Sequence, residues 1–331
     1  MAFETGTTTG STDFWNKLIA FLTTNVDLVA ADEEWAVVWT HPSGATSGVV
    51  LRGPGAAGTD SIYVGLSLTT TVDTDGHYIT IWGMTAPVTA AVQMTEHINL
   101  SPAVRVWLDA NAMKYWLVGS GRRFMLAVNM STVYEVAYAG LFLPYALPTE
   151  YPYPLFIGGT QGATADVTSW RSTSDYHAAF PFAPYNSGSV GVNHASAYVL
   201  DPNGAWLNAP GSANSEAHLS LGPHRYQDYD PDGGNDFTIS SGTSSADALP
   251  GYDNVRARTM LGYGDVFALD PITIIRTNEA IQMYGVLDGF YVCPGVGQAS
   301  ENLIQIDSTD YVVIQNVFRT STLSYMAIRL E

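Results

Sequence analysis

Residues 114–160 decide the fold, and they read KYWLVGSGRRFMLAVNMSTVYEVAYAGLFLPYALPTEYPYPLFIGGT. Two runs of β-forming residues, 115–118 and 124–130, flank the turn sequence GSGR, which predicts a strand, a turn and a second strand. A third run, 134–142, carries aromatic and β-branched residues at both odd and even positions. We therefore expect protein to cover both faces of this third strand.

The second half of the stretch is rich in proline and aromatic residues. Prolines 144, 148, 152 and 154 are interspersed with Tyr145, Tyr151, Tyr153 and Phe156. Because proline lacks an N–H and fixes φ, we expect this segment to leave the sheet as a stiff, extended arm. Such an arm loses little freedom when it docks, and tyrosine supplies a large contact area. The four rings either form an inter-subunit surface or cap the core of their own domain, and the sequence leaves both interpretations open.

The composition predicts a β protein that works in an assembly. Charged residues make up 13% of the 331 residues, about half the usual share. A surface so poor in charge protects a monomer only weakly against association, so we expect the chain to work in an assembly. The formal net charge of −18, with no basic cluster longer than Arg122-Arg123, argues against nucleic acid as a partner.

Cysteine usage and hydropathy predict where the chain folds. The single cysteine, Cys293, excludes an intramolecular disulfide and a cysteine zinc cluster. Residues 1–12 are polar and Thr/Gly-rich, unlike a secretory signal, and no apolar run approaches the roughly 20 residues of a membrane span. We therefore expect synthesis and folding in a reducing cytoplasm.

The pattern outside the central stretch predicts one helix and many hairpins. Ser11-Thr12-Asp13 offers capping oxygens to a helix, and a second short helical turn is expected at 26–31. The apolar face of the first helix is interpreted as a docking element, although core packing is the commoner use of such a face. It comprises Phe14, Trp15, Leu18 and Leu22.

Strand candidates separated by turn residues from position 35 onward predict antiparallel meanders. The fold class is therefore mainly β, with antiparallel β-sandwich-like sheets, one N-terminal α-helix and a long loop-rich insertion. We divide the chain into an N-terminal arm and helix (1–32), a first β-rich lobe (33–159), a loop-rich region (160–259) and a C-terminal β segment (260–331). The last segment either completes a sheet with 33–159 or forms a second lobe.

Few residues point to chemistry. The D-x-D-x-D-G spacing of Asp228, Asp230 and Asp232 resembles a calcium loop, but Ile239 replaces the bidentate Glu, which favours a solvated acidic turn over a Ca²⁺ site. Glu135 and Asp288 have apolar neighbours, and nothing selects them as a catalytic pair. Cys293 is interpreted as a small buried residue and not a nucleophile. We predict no enzymatic activity and no cofactor.

Several blocks of the sequence resemble virion structural proteins of tailed bacteriophages. The blocks are MAFETGTTTGSTDFWNKLIAFLTTN (1–25), VVLRGPG (49–55), the central residues 121–159 and VVIQNVFRTSTLSYMAIRLE (312–331). The resemblance covers both ends and the middle, and it implies a tail or baseplate component that is located in the virion and contacts other virion proteins. Because such assemblies have ring symmetry, the resemblance also implies a homo-oligomer of three or six copies, that is, a trimer or a hexamer. No catalytic motif is known for this group, so the resemblance assigns no active residues.

The first functional hypothesis is therefore a non-enzymatic tail subunit, whose docking elements are the apolar face of the first helix and the rings of the proline-rich arm from Tyr145 to Phe156. The alternatives are a receptor-binding adhesin for host attachment, a capsid or neck accessory protein, and a polysaccharide-degrading tail enzyme. The adhesin would present aromatic rings of the loop-rich region to a host surface glycan. These rings are Trp170, Tyr176, Tyr185, Trp206 and Tyr226.

Overall fold

The structure is a computed structural model. It describes residues 1–41, 47–55, 62–70, 74–91, 93–162, 168–171, 180, 197–209, 219–222, 269–276, 282–293, 297–315 and 325–330. No helix within these ranges is both long enough and apolar enough to span a membrane.

The described elements are mainly strands, as the sequence predicts. The N-terminal half contains β1 (Ala2–Thr8), α1 (Ser11–Thr24), α2 (Val26–Ala30), β2 (Ala36–Thr40), β3 (Ser47–Gly53), β4 (Ile62–Thr69), β5 (His77–Met84), a 3-10 turn (Met94–Glu96), β6 (Val104–Leu108), β7 (Met113–Gly119), β8 (Arg123–Met130) and β9 (Val133–Leu141). The remainder contains β10 (Leu143–Pro144), β11 (Leu155–Gly159), β12 (Gln161–Gly162), β13 (Ala197–Leu200), β14 (Trp206–Ala209), β15 (Leu219–Gly222), β16 (Asp270–Arg276), β17 (Gln282–Cys293), β18 (Leu303–Ile306), β19 (Thr309–Gln315) and β20 (Tyr325–Arg329).

The described strands form three antiparallel sheets. The central sheet has the order β1-β7-β8-β9-β11-β13-β14. The N-terminal sheet has the order β12-β6-β5-β4-β3-β2, and the C-terminal sheet has the order β15-β16-β17-β20-β19-β18 with β10 paired to β17. The C-terminal strands thus form a sheet of their own, which the arm joins through β10.

The central sheet lies between two cores, which confirms that its middle strands are covered on both faces. On one face, Leu117, Leu126 and Ala137 pack with the N-terminal sheet and α1. On the other face, Val118 and Tyr138 pack with the C-terminal sheet. Successive side chains of a strand point to opposite faces, so a strand with apolar residues at both parities is stable only between two layers.

The N-terminus contains a strand that the sequence pattern does not predict, because residues 1–12 are assigned to an N-terminal arm. Residues 2–8 form β1, which pairs along its whole length with β7. The helix α1 begins at Ser11 after Gly10, and no side chain caps it. Ser11 Oγ lies 2.7 Å from His77 Nδ1, and Asp13 accepts a hydrogen bond from the backbone N–H of Thr9. These two side chains therefore hold the helix start against its neighbours. The short helix α2 is confirmed.

Candidate functional site

The apolar face of α1 is not a docking surface. Phe14, Trp15, Leu18 and Leu22 are all buried in the core between the helix, the central sheet and the N-terminal sheet. The prediction that they bind a partner is wrong because the chain's own strands cover the face. The exposed apolar residues of this segment lie in α2 instead, at Val26 and Val29.

The proline-rich arm is anchored to the C-terminal sheet and folded by local hydrogen bonds. Near its start the Tyr145 N–H donates to the Tyr284 carbonyl of the C-terminal sheet at 2.9 Å. In its middle, the N–H groups of Glu150 and Tyr151 both donate to the Leu147 carbonyl at 2.9 Å. The Glu150 carboxylate accepts the Leu147 N–H at 3.1 Å. The arm is therefore a compact turn and not an extended rod.

Two of the four predicted arm rings point inward. Tyr151 is buried between Phe142 and Tyr284, with ring centroids 5.5 and 5.6 Å away in edge-to-face geometry. Its hydroxyl donates to the Leu200 carbonyl, and burial raises the pKa of that hydroxyl above its ordinary value. Phe156 belongs to β11 in the central sheet and is fully buried. Their assignment to an interface is wrong because they fill the chain's own core.

The other two rings are exposed, and two exposed leucines lie in the same segment. The solvent-exposed fractions are 59% for Tyr145, 64% for Leu147, 44% for Tyr153 and 37% for Leu143. We call these four residues the arm patch. Large apolar side chains exposed at four positions within residues 143–153 favour a surface that another protein covers. The arm patch is the candidate functional site.

The aromatic rings assigned to a glycan surface do not form a shared platform where the structure describes them. Trp170 is buried against the core, and the Arg171 guanidinium lies over its ring at 4.7 Å. Trp206 is half-buried, and its indole N–H donates to the Asn99 carbonyl at 2.9 Å. Both indoles therefore serve packing within the chain. Three further candidates, Tyr176, Tyr185 and Tyr226, lie outside the described residues.

The candidate metal ligands Asp228, Asp230 and Asp232 also lie outside the described residues. Within the ranges that are described, no group of three or more His, Cys, Asp or Glu side chains is arranged to hold a metal ion.

The two carboxylates considered for acid–base chemistry lie on opposite faces of the central sheet. Glu135 is buried on the side of the N-terminal sheet, where its carboxylate accepts the backbone N–H of Trp107 at 3.3 Å. Asp288 lies on the other side and forms an ion pair with Arg123 at 3.1 Å. A glycosidase needs both carboxylates beside one scissile bond, so these two do not form such a pair.

Cys293 is buried, as predicted. Burial raises the pKa of its thiol to about 12. Because the thiolate is the reactive form, this cysteine is chemically inert near neutral pH.

A polar cluster around Glu301 was not predicted from the sequence. Its carboxylate accepts hydrogen bonds from Lys114 at 2.6 Å, Tyr134 at 3.0 Å and Asn129 at 3.1 Å. Burial, reinforced by Glu301, raises the pKa of the Tyr134 hydroxyl to about 12. The cluster joins the loop before β18 to the central sheet. Glu301 lies more than 160 residues from its partners in the sequence, so local sequence patterns do not reveal the contact.

Comparison with known proteins adds no assignment to this geometry. No protein-family model matches the chain, and the search of curated proteins gave no match.

Proposed function

We propose that this chain is a non-enzymatic structural component of a bacteriophage tail, in the baseplate or tail-tip region, and that it assembles with copies of itself and with other virion proteins. The arm patch carries the proposal. Its four exposed apolar side chains lie within residues 143–153, a segment that Tyr151 and β10 fix to the body of the protein.

The construction of the arm supports a docking role. The buried Tyr151 holds the turn in one conformation, so the exposed Tyr145, Leu147 and Tyr153 are presented without a large ordering cost on binding. Tyrosine is enriched in interface cores because its ring supplies apolar area and its hydroxyl a hydrogen bond. The low share of charged residues fits a chain whose surface is partly covered in use.

The proposal names a bacteriophage tail as the assembly because four sequence blocks resemble tail proteins. Two of these blocks form the framework of the described fold, because 1–25 contains β1 and α1 and 121–159 contains β8, β9 and the arm. A structural role also agrees with the separation of Glu135 from Asp288 and with the inert thiol of Cys293.

The test replaces the outward side chains of the arm and leaves its inward ring in place. The triple variant Tyr145→Ser/Leu147→Ser/Tyr153→Ser should fold and yet be missing from purified tailed particles assembled in its presence. The control is Ile98→Ser/Leu303→Ser, which removes two equally exposed apolar side chains elsewhere on the surface. Normal incorporation of the triple variant would contradict the proposal.

A further inference from the structure

The strand β1 is an open edge of the central sheet. Its seven residues pair with β7 in an unbroken register from Ala2 opposite Gly119 to Thr8 opposite Met113. No strand in the described part of the chain pairs with its other side. Phe3, Thr5 and Thr7 are exposed along one face of this edge.

The other described edges carry features that limit pairing. The strand β2 has five residues and a register shift between Val37 and Trp39. The remaining edge strands β10, β12, β14, β15 and β18 have two to four residues each. Natural sheets avoid unwanted pairing by short edge strands, bulges, lysine or proline. β1 is seven residues long and regular, and it contains neither lysine nor proline.

The sequence of β1 is complementary to itself. If two copies run antiparallel with their Thr5 residues opposite each other, Glu4 faces the small Gly6 of the other copy and Phe3 faces Thr7. This register brings no like charges together, and it pairs an aromatic with a β-branched residue, which is a favourable cross-strand pair. A register centred on Glu4 would instead place two carboxylates opposite each other. The Glu4 carboxylate is already directed back to its own sheet, where it accepts the Tyr115 hydroxyl at 2.6 Å.

We propose that two copies of this chain join through β1, antiparallel and centred on Thr5, so that their central sheets become one continuous sheet. Main-chain hydrogen bonds along an open edge are a general mode of association. The contact is two-fold symmetric, so it fits a hexamer made of three pairs and not a simple trimer. This inference rests on the self-association in the proposed function, and the place where the copies meet is its separate claim.

Cysteine cross-linking tests the register. In an antiparallel pair, directly opposite Cα atoms lie about 4.5–5.5 Å apart, a separation that a disulfide spans. Thr5→Cys should therefore form a covalent dimer under mild oxidation. Thr7→Cys is the matched control on the same face, because the two Thr7 residues would lie about 13 Å apart along the strand. The native Cys293 is buried and does not compete.

A second pair of variants checks the same register without relying on Thr5. Phe3→Cys mixed with Thr7→Cys should give a mixed dimer, while each variant alone should not. The mass of the oxidised wild-type protein, measured by light scattering, is the reference for each variant.

The outcomes separate the two claims. Dimers of Thr5→Cys and of the mixture, with none for Thr7→Cys alone, support the inference. The inference is overturned, and self-association still stands, if Thr5→Cys and Thr7→Cys cross-link equally. The same conclusion follows if no variant cross-links although the wild-type protein is an oligomer. A wild-type protein that remains a monomer, with no linking, overturns both the inference and the self-association in the proposed function.

Discussion

The Arg123 guanidinium, which is 1% exposed, forms an ion pair with the Asp288 carboxylate, with Nη2 and Oδ2 3.1 Å apart. Arg123 begins β8 in the central sheet, and Asp288 lies in β17 of the C-terminal sheet. The pair therefore joins two layers that are far apart in sequence. Gly289, next to Asp288, makes room for this approach, because a Cβ there would lie 3.0 Å from Arg123 Nη2.

Removal of the carboxylate should destabilise the protein strongly. Asp288→Ala leaves a buried guanidinium without its counter-charge, and we expect the free energy of unfolding to fall by about 3–5 kcal/mol. Adding Arg123→Met to this variant should restore part of the loss, because the uncompensated charge is then gone. Urea unfolding of both variants measures the effect. A loss below about 1 kcal/mol for Asp288→Ala would contradict this role of the pair.

The hydroxyl of the buried Tyr151 should contribute to stability, and the hydroxyl of the exposed Tyr145 should not. Tyr151→Phe removes the hydroxyl that donates to the buried Leu200 carbonyl, and we expect a loss of about 1–3 kcal/mol. Tyr145→Phe is the matched control, because its ring is exposed, and its effect should be within about 0.5 kcal/mol. Equal effects of the two variants in urea unfolding would show that Tyr151 does not anchor the arm.

The central strands were predictable from the sequence. Which apolar surfaces lie in the core of the chain and which remain exposed was not predictable. Apolar residues at both odd and even positions of 134–142 indicate a strand between two layers, whatever those layers are. An apolar helix face such as that of Phe14 and Leu18 has the same pattern whether a strand of the same chain or a partner covers it. The same ambiguity applies to Tyr145 and Tyr151, which differ only in the direction that the folded turn gives them.

The N-terminal strand was missed for a different reason. Its sequence AFETGTT has few apolar residues, and Gly6 reads as a break in a strand. In the fold, Gly6 is where the Tyr115 ring comes close to the backbone, and a Cβ there would lie 3.0 Å from the Tyr115 hydroxyl oxygen. The strand is thus stabilised by its long-range pairing with β7, which its local sequence does not reveal.

Gly140 should be far less tolerant of substitution than Gly204. Gly140 has φ of +128°, and a Cβ would lie 2.4 Å from the backbone oxygen of Arg122. Gly140→Ala should cost at least about 2 kcal/mol through strain and crowding. Gly204 has φ of +85° with nothing within 4 Å of its Cβ position, so Gly204→Ala should cost only about 1 kcal/mol. Thermal unfolding of the two variants checks the order, and the reverse order would contradict the packing of β9 against Arg122.

Stability should decline at alkaline pH because of buried tyrosines. Burial raises the pKa of Tyr198 to about 12, and burial together with Glu301 raises that of Tyr134 to about 12. Tyrosines of the unfolded chain ionise near pH 10, so from about pH 10 to about pH 12 the unfolded state releases protons that the folded state retains. The free energy of unfolding should therefore not change with pH on account of these groups below about pH 10, and it should fall through this interval.

Urea unfolding between pH 8 and pH 11.5 measures this decline. Tyr198→Phe removes one of the contributing groups, so the decline of the variant should be less steep than that of the wild type. A stability that stays constant up to pH 11.5 in the wild type would show that these hydroxyls are not buried as described.

The central claim is that the arm patch is covered in the assembled particle. Hydroxyl-radical footprinting of the isolated chain and of purified tailed particles containing it tests this claim directly, with the exposed Leu303 as an internal reference. We predict that Tyr145, Leu147 and Tyr153 are oxidised in the isolated chain and protected in the particle. Equal oxidation of the three side chains in both states would contradict the account.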